Sequence, residues 1–101
     1  MAHLVWRLAC ASPLAPAVTH TLLTWMFATV TGNKRIRAGV PQGWRVADKT
    51  GSYANAANDI GLIYPPHRSP LAIACYVDGV RTTDDGSQAI ASVVTTIRSL
   101  L

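Results

Sequence analysis

Apolar positions along the chain change period several times, and each change marks an element. From Pro16 onward Val18, Leu22, Trp25, Met26 and Thr29 fall on one face at i, i+4, i+7, i+8 spacing, the signature of an amphipathic helix. The pattern predicts that this helix stops near Thr31-Gly32-Asn33, with glycine supplying a left-handed cap. A basic loop then runs to the turn signal Pro41-Gln42-Gly43. Trp44, Val46 and Asp48 alternate with Arg45, Ala47 and Lys49, the period of a strand. Gly51-Ser52 to Ala57 reads as a small-residue loop, and Ile60 to Tyr64 as a second strand. Pro65, Pro66 and Pro70 bracket a turn too rich in proline to continue a ladder. Leu71 to Val77 is apolar at every position, which predicts an interior strand with both faces covered and a partner on each side. Asp78-Gly79 closes it.

From Gly86 the period is helical again, with Ile90, Val93, Val94, Ile97 and Leu101 as the apolar stripe. Asp84 and Asp85 stand at the start, where the helix dipole favours negative charge. The predicted order is helix, three antiparallel strands, helix: an α+β domain over residues 19–101, preceded by an unassigned segment over 1–18.

Composition narrows the chemistry. With 101 residues, 50% of them apolar and 14% charged, the chain is at most one folded domain with a modest core. All five acids are aspartates (Asp48, Asp59, Asp78, Asp84 and Asp85), so no glutamate is available as a general base. The net charge of +4 is scattered apart from Lys34, Arg35 and Arg37, without the basic stripe and interleaved aromatics of a nucleic-acid binder. Cys10 and Cys75 match no metal-ligand or C-x-x-C spacing; they allow one disulfide, and free buried thiols are expected, with no metal or cofactor. The stretch from Arg7 to Lys34 carries no formal charge and is long enough for a membrane span of about 20 residues. Pro13, Pro16, His20 and several threonines interrupt it, so no span is expected. Arg7 interrupts the apolar run of Met1 to Pro16, against a secretory leader, and spoils the lipoprotein-like triplet Leu8-Ala9-Cys10.

The sharpest local signal is Asp48-Lys49-Thr50-Gly51-Ser52. It gains weight from the whole stretch Thr31 to Ser52, from Asn58-Asp59-Ile60 and Tyr64-Pro65-Pro66 downstream, and from Leu22-Leu23-Thr24-Trp25-Met26 upstream. In these residues the chain resembles the class A serine β-lactamases from about Thr21 to Leu101, the C-terminal part of that family's α/β/α sandwich. The resemblance implies that the K-T-G strand forms one wall of the active-site cleft. It implies that Lys49 attracts the substrate carboxylate and holds the serine of an S-D-N loop, and that Thr50 donates its hydroxyl to that carboxylate. The backbone N–H of Ser52, after Gly51, would be one of two oxyanion donors, each worth about 2.7–4 kcal/mol in the transition state. Arg35 would be the second cationic anchor, in a place that points toward the subgroup with carbapenem-hydrolysing members. Arg37 and Asp48 would form a buried structural ion pair. The implied substrate is a β-lactam, and the implied location periplasmic or secreted.

Other constellations fail. Tyr53-Ala54-Asn55 mimics the Y-x-N element of class C enzymes but follows the K-T-G motif instead of preceding it. His3, His20 and His67 have no G-x-S-x-G elbow to serve. None of Ser12, Ser52, Ser69, Ser87, Ser92 and Ser99 is followed by lysine three positions on, and S-D-N is absent. The chain is therefore expected to be a C-terminal fragment that carries the binding wall without nucleophile or base and is inactive by itself. The strand Leu71–Val77, deprived of a neighbour, is expected to drive self-association. Two other classes compete: a small basic domain binding an anionic partner through Lys34, Arg35, Arg37 and Lys49, and a membrane-anchored stub using Leu8 to Val30.

Overall fold

A computed structural model describes residues 1–101. Helix α1 (Ala2–Cys10) is followed by α2 (Pro16–Ala28), the single turn α3 (Ile36–Gly39), strands β1 (Arg45–Tyr53), β2 (Ala56–Tyr64) and β3 (Leu71–Asp78), and helix α4 (Thr83–Arg98). The strands form one antiparallel sheet in the order β1-β2-β3. Helices α1 and α2 cover one face of the sheet, and α3 and α4 the other. The chain is thus an α+β fold in three layers.

Strand alternation explains the layers. Val46, Ala57, Ile63, Leu71, Ile73, Cys75 and Val77 turn toward α4, where Ile90 and Val94 are fully buried beside Ile36. Burial of each such side chain contributes about 1.5–3 kcal/mol. Helix α4 starts at Thr83, ahead of the predicted Gly86, with the Thr82 hydroxyl accepting the Asp85 N–H at 3.1 Å and Asp84 and Asp85 in the first turn as expected. Of the predicted stripe, Ile90 and Val94 reach the core, while Val93 and Ile97 stay exposed.

Several expectations are corrected. The segment left unassigned holds α1, whose Val5 is buried against the sheet. In α2 no residue is fully buried, and the predicted face is split: Val18 is 52% and Trp25 67% exposed, while Leu22, Met26 and Thr29 turn inward. Leu23 and Phe27, outside the predicted stripe, share that inward side. Phe27 lies 5.3 Å from the Tyr64 ring and under the Arg45 guanidinium at 4.0 Å. Apolar residues surround most of α2, so periodicity alone does not select a face.

Helix α2 ends at Ala28, and Gly32 is not its left-handed cap; positive φ occurs at Gly43 and Gly79, both in turns, and at His67. Gly32 is needed for space, since a Cβ there would overlap Asp48 Oδ2. The small residues expected to form a loop continue the ladder through Tyr53↔Ala56, leaving Ala54-Asn55 as the turn. Their smallness serves close packing: Ala57 is fully buried, 2.7 Å from where a Cβ on Gly86 would stand. The bare outer edge of β3, with β2 the central strand, is the one expected for Leu71–Val77 deprived of a neighbour. Helices α1 and α4 lie on the two faces of β3.

Candidate active-site wall

On β1, residues 48, 50 and 52 turn toward the segment linking α2 to α3, and residues 49 and 51 toward α1 and α2. The first set is held at every position. Asp48 Oδ1 accepts the Thr29 hydroxyl at 2.9 Å and the Arg37 Nη2 and Nε at 2.7 and 3.0 Å. Thr50 donates its hydroxyl to Thr31 Oγ1 at 2.8 Å. Ser52 Oγ accepts Arg35 Nη2 at 2.6 Å. The connecting segment is thereby laid along the strand, one contact per turn of the pleat.

Arg35 is the hub. It is buried, 5% exposed, and its Nε donates to Ser87 Oγ at 3.0 Å. Its Nη1 donates to the carbonyls of Gly51 and Asn58 at 3.0 and 2.7 Å. Counting Ser52, four of the five guanidinium N–H bonds are committed, and one on Nη2 remains. A single side chain therefore joins α4, β1 and β2 at the end of the K-T-G motif.

Arg37 and Asp48 form the ion pair that the resemblance implies. Asp48 is fully buried, and Arg37 also donates to the Met26 carbonyl at 2.8 Å, one of the free carbonyls in the last turn of α2. The pair thus fastens the end of α2 to β1.

Lys49 behaves differently. Its ammonium is exposed and donates to the Thr50 carbonyl at 2.6 Å, while its stem borders an apolar cavity of about 170 Å³. Met1, Val5, Leu22, Met26 and Leu62 line that cavity. An aliphatic stem against apolar walls with the charge in water is the usual compromise for lysine.

Three contributors escaped the sequence reading as site residues: Asp59, Ser87 and Thr31. Asp59 stood in the sequence as a lone acid within the apolar run of β2, and it is fully buried. Its Oδ2 accepts the Ile36 N–H at 3.2 Å, and its pKa is pushed up to about 8 by burial and by the adjacent Asp48 carboxyl. Burial, then Asp59, raise the Cys75 thiol as well. Cys10 and Cys75 are free thiols, but Cys10 is exposed and Cys75 half-buried, so neither is the buried thiol expected.

The four cations of the competing anion-binding reading do not share a surface. Arg35 and Arg37 are engaged internally, Lys34 faces Asp84 at 3.9 Å in solvent, and Lys49 lies on the other side of the sheet. No helix is long and apolar enough to cross a membrane.

The α+β fold of the chain is shared with class A β-lactamases of solved structure. The model of the beta-lactamase enzyme family matches residues 1–101, and the chain belongs to that family. It is 36% identical over 86 residues to the carbapenem-hydrolyzing beta-lactamase KPC of Klebsiella oxytoca, covering 83% of this chain and 29% of that protein. Beta-lactamase 3 of Bacillus cereus is 50% identical over 54 residues, 52% of this chain and 17% of that protein. The class A beta-lactamase from Mycobacterium abscessus superposes with a TM-score of 0.87 at 34% identity, over 98% of this chain and 39% of that one. The chain therefore spans well under half the length of these relatives.

Proposed function

We propose that these 101 residues supply the carboxylate-binding wall and one oxyanion donor of a site that opens β-lactam rings through a serine acyl-enzyme. Lys49 receives the substrate carboxylate across the open edge of β1 by charge-assisted hydrogen bonds, and the Thr50 hydroxyl adds a neutral one by turning from Thr31 Oγ1 to the carboxylate. The backbone N–H of Ser52 stabilises the negative charge on the carbonyl oxygen under attack. Strand β1 is a sheet edge, so alternate N–H groups along it are free of the ladder. Arg35 contributes its remaining N–H and, above all, immobilises Gly51 and Ser52; a donor that needs no reorganisation is worth most in the transition state.

The observation that carries this reading is the set of four Arg35 hydrogen bonds around the last residues of the motif. The residues present include no S-x-x-K, no S-D-N and no glutamate. By themselves they should neither hydrolyse a chromogenic cephalosporin nor form an acyl adduct detectable by mass spectrometry. Supplied with the complementary part of a related class A enzyme, fused or in trans, they should support turnover. An adduct on a serine of the isolated chain, or a well-folded complemented assembly without turnover, would overturn the reading. The outer edge of β3 should direct association of the isolated chain with itself, visible in sedimentation. The place of action is periplasmic or secreted, following the family.

A further inference from the structure

Two fully buried carboxyl groups, on neighbouring strands, share one compartment. Asp48 Oδ1 takes three hydrogen bonds from Arg37 and Thr29, and Asp59 Oδ2 takes one from the Ile36 N–H. The other oxygen of each, Asp48 Oδ2 and Asp59 Oδ1, is buried without any such donor. Asp48 and Asp59 stand diagonally on one face of the sheet, and both border the same small space at Gly32, where a Cβ would lie 3.3 Å from Asp59 Oδ2 as well as against Asp48. Gly32 closes the space over them so tightly that a Cβ would overlap Asp48 Oδ2.

Two adjacent carboxylates facing each other in a dry site, with two orphaned acceptors, would be costly in both charge and hydrogen bonding. One proton removes both difficulties. We propose that Asp59 is a positioning residue that carries a proton in the folded chain and donates it from Oδ1 to Asp48 Oδ2, leaving the pair a single negative charge. That charge sits on Asp48 because Arg37 faces it. The surrounding elements agree. Arg35 and Arg37 approach from the α2–α3 segment and α3, and Cys75 from β3 is a thiol held neutral. The buried positions of α4 (Gly86, Ser87, Ile90 and Val94) carry no charge.

The shared proton has a mechanical consequence. Through Asp48 it joins Thr29 and Arg37, through Asp59 the Ile36 N–H, and so it pins both ends of the segment that carries Thr31 and Arg35. Those are the residues that hold Thr50 and Ser52. Asp59 touches no substrate and acts only through this segment.

The sign of the linkage follows directly. Asp59 is protonated in the folded chain and ionised in the unfolded one above the ordinary carboxyl range. Unfolding therefore releases a proton, and stability falls as pH rises from about 4 to about 8 before levelling. Within that window each pH unit lowers the folding constant about tenfold relative to a chain without the group.

The test uses the whole 101-residue chain with 13C-carboxyl aspartate, read by infrared spectroscopy, which is indifferent to self-association. At about pH 6.5, between the ordinary carboxyl range and the raised value, the chain should show one protonated aspartic carboxyl. That signal should be absent from Asp59→Asn and should persist to higher pH than any exposed aspartate allows. The amide that Asp59→Asn introduces can donate Nδ2–H to Asp48 while its carbonyl accepts the Ile36 N–H. Asp59→Asn should therefore match the parent in urea denaturation at about pH 5 and exceed it at about pH 8. Asp48→Asn strips Arg37 of its partner and should be weaker at both. A fully ionised set of aspartates in the infrared spectrum near pH 6.5 would overturn the proposal. So would a parent and Asp59→Asn whose stability difference does not change with pH. Neither readout involves substrate, so failure here is distinguishable from failure of the proposed function.

Discussion

The two sides of β1 are built on opposite principles. Toward the α2–α3 segment, Asp48, Thr50 and Ser52 are each fixed by a hydrogen bond or ion pair that belongs to this chain. Toward α1 and α2, Lys49 meets only an apolar cavity and its neighbour's carbonyl. The first side is complete as it stands. The second holds a charge with no counter-charge, on a stem that packs but does not lock. In the proposed function, affinity for an anion resides in the loose side, and the geometry that makes it useful resides in the rigid one.

That contrast is sharpest where the rigid side is cut. Arg37→Ala leaves Asp48 fully buried and uncompensated, and should destabilise the chain by about 3–5 kcal/mol in urea denaturation. Arg35→Ala should follow at about 2–4 kcal/mol, because the Gly51 and Asn58 carbonyls lose their guanidinium donors together. Arg35→Lys should recover little of that loss, since an ammonium cannot reproduce a planar fork reaching four acceptors. Gly32→Ala should cost about 1–3 kcal/mol by forcing a shift of Asp48. On the loose side, Lys49→Ala should change stability by no more than about 0.5 kcal/mol, the range of an exposed substitution away from special contacts. If Lys49→Ala destabilised the chain as much as Arg37→Ala, the contrast between the two sides would be wrong.

The same contrast separates what was legible in the sequence from what was not. Strand periodicity placed β1, and the K-T-G residues with their flanks pointed to the family and to the Arg37–Asp48 pair now seen at 2.7 Å. The apolar run of β3 was legible as a strand covered on both faces, with a bare edge where these residues supply no second neighbour. Helix α2 has too little polar contrast to fix the limits of the side it buries, so Leu22 and Met26 read as inward and are, Val18 and Trp25 read as inward and are not, and Leu23 and Phe27 were missed. Gly32 carried the commonest meaning of a glycine after a helix, a left-handed cap, when its function is to make room for a carboxylate. Ser87 and Thr31 could not be found at all, since a hydroxyl becomes informative only when a fold brings an arginine or another hydroxyl to it. Asp59 was the one signal open to reading: an acid inside an apolar strand needs a partner, and Asp48 stood on the strand before it.

The most direct test of the central claim is turnover of a chromogenic cephalosporin by the chain complemented with the remaining part of a related class A enzyme, comparing Lys49→Ala with Arg45→Ala. Both residues lie on β1 with exposed side chains, but Arg45 stacks on Phe27 away from the motif. Removing one partner of a charge-assisted contact typically costs about 2–5 kcal/mol, so Lys49→Ala should lower kcat/KM by roughly thirtyfold or more. Arg45→Ala should leave it within a fewfold of the parent. An unchanged kcat/KM for Lys49→Ala, or a larger loss for Arg45→Ala, would contradict the assignment of the K-T-G strand as the carboxylate-binding wall.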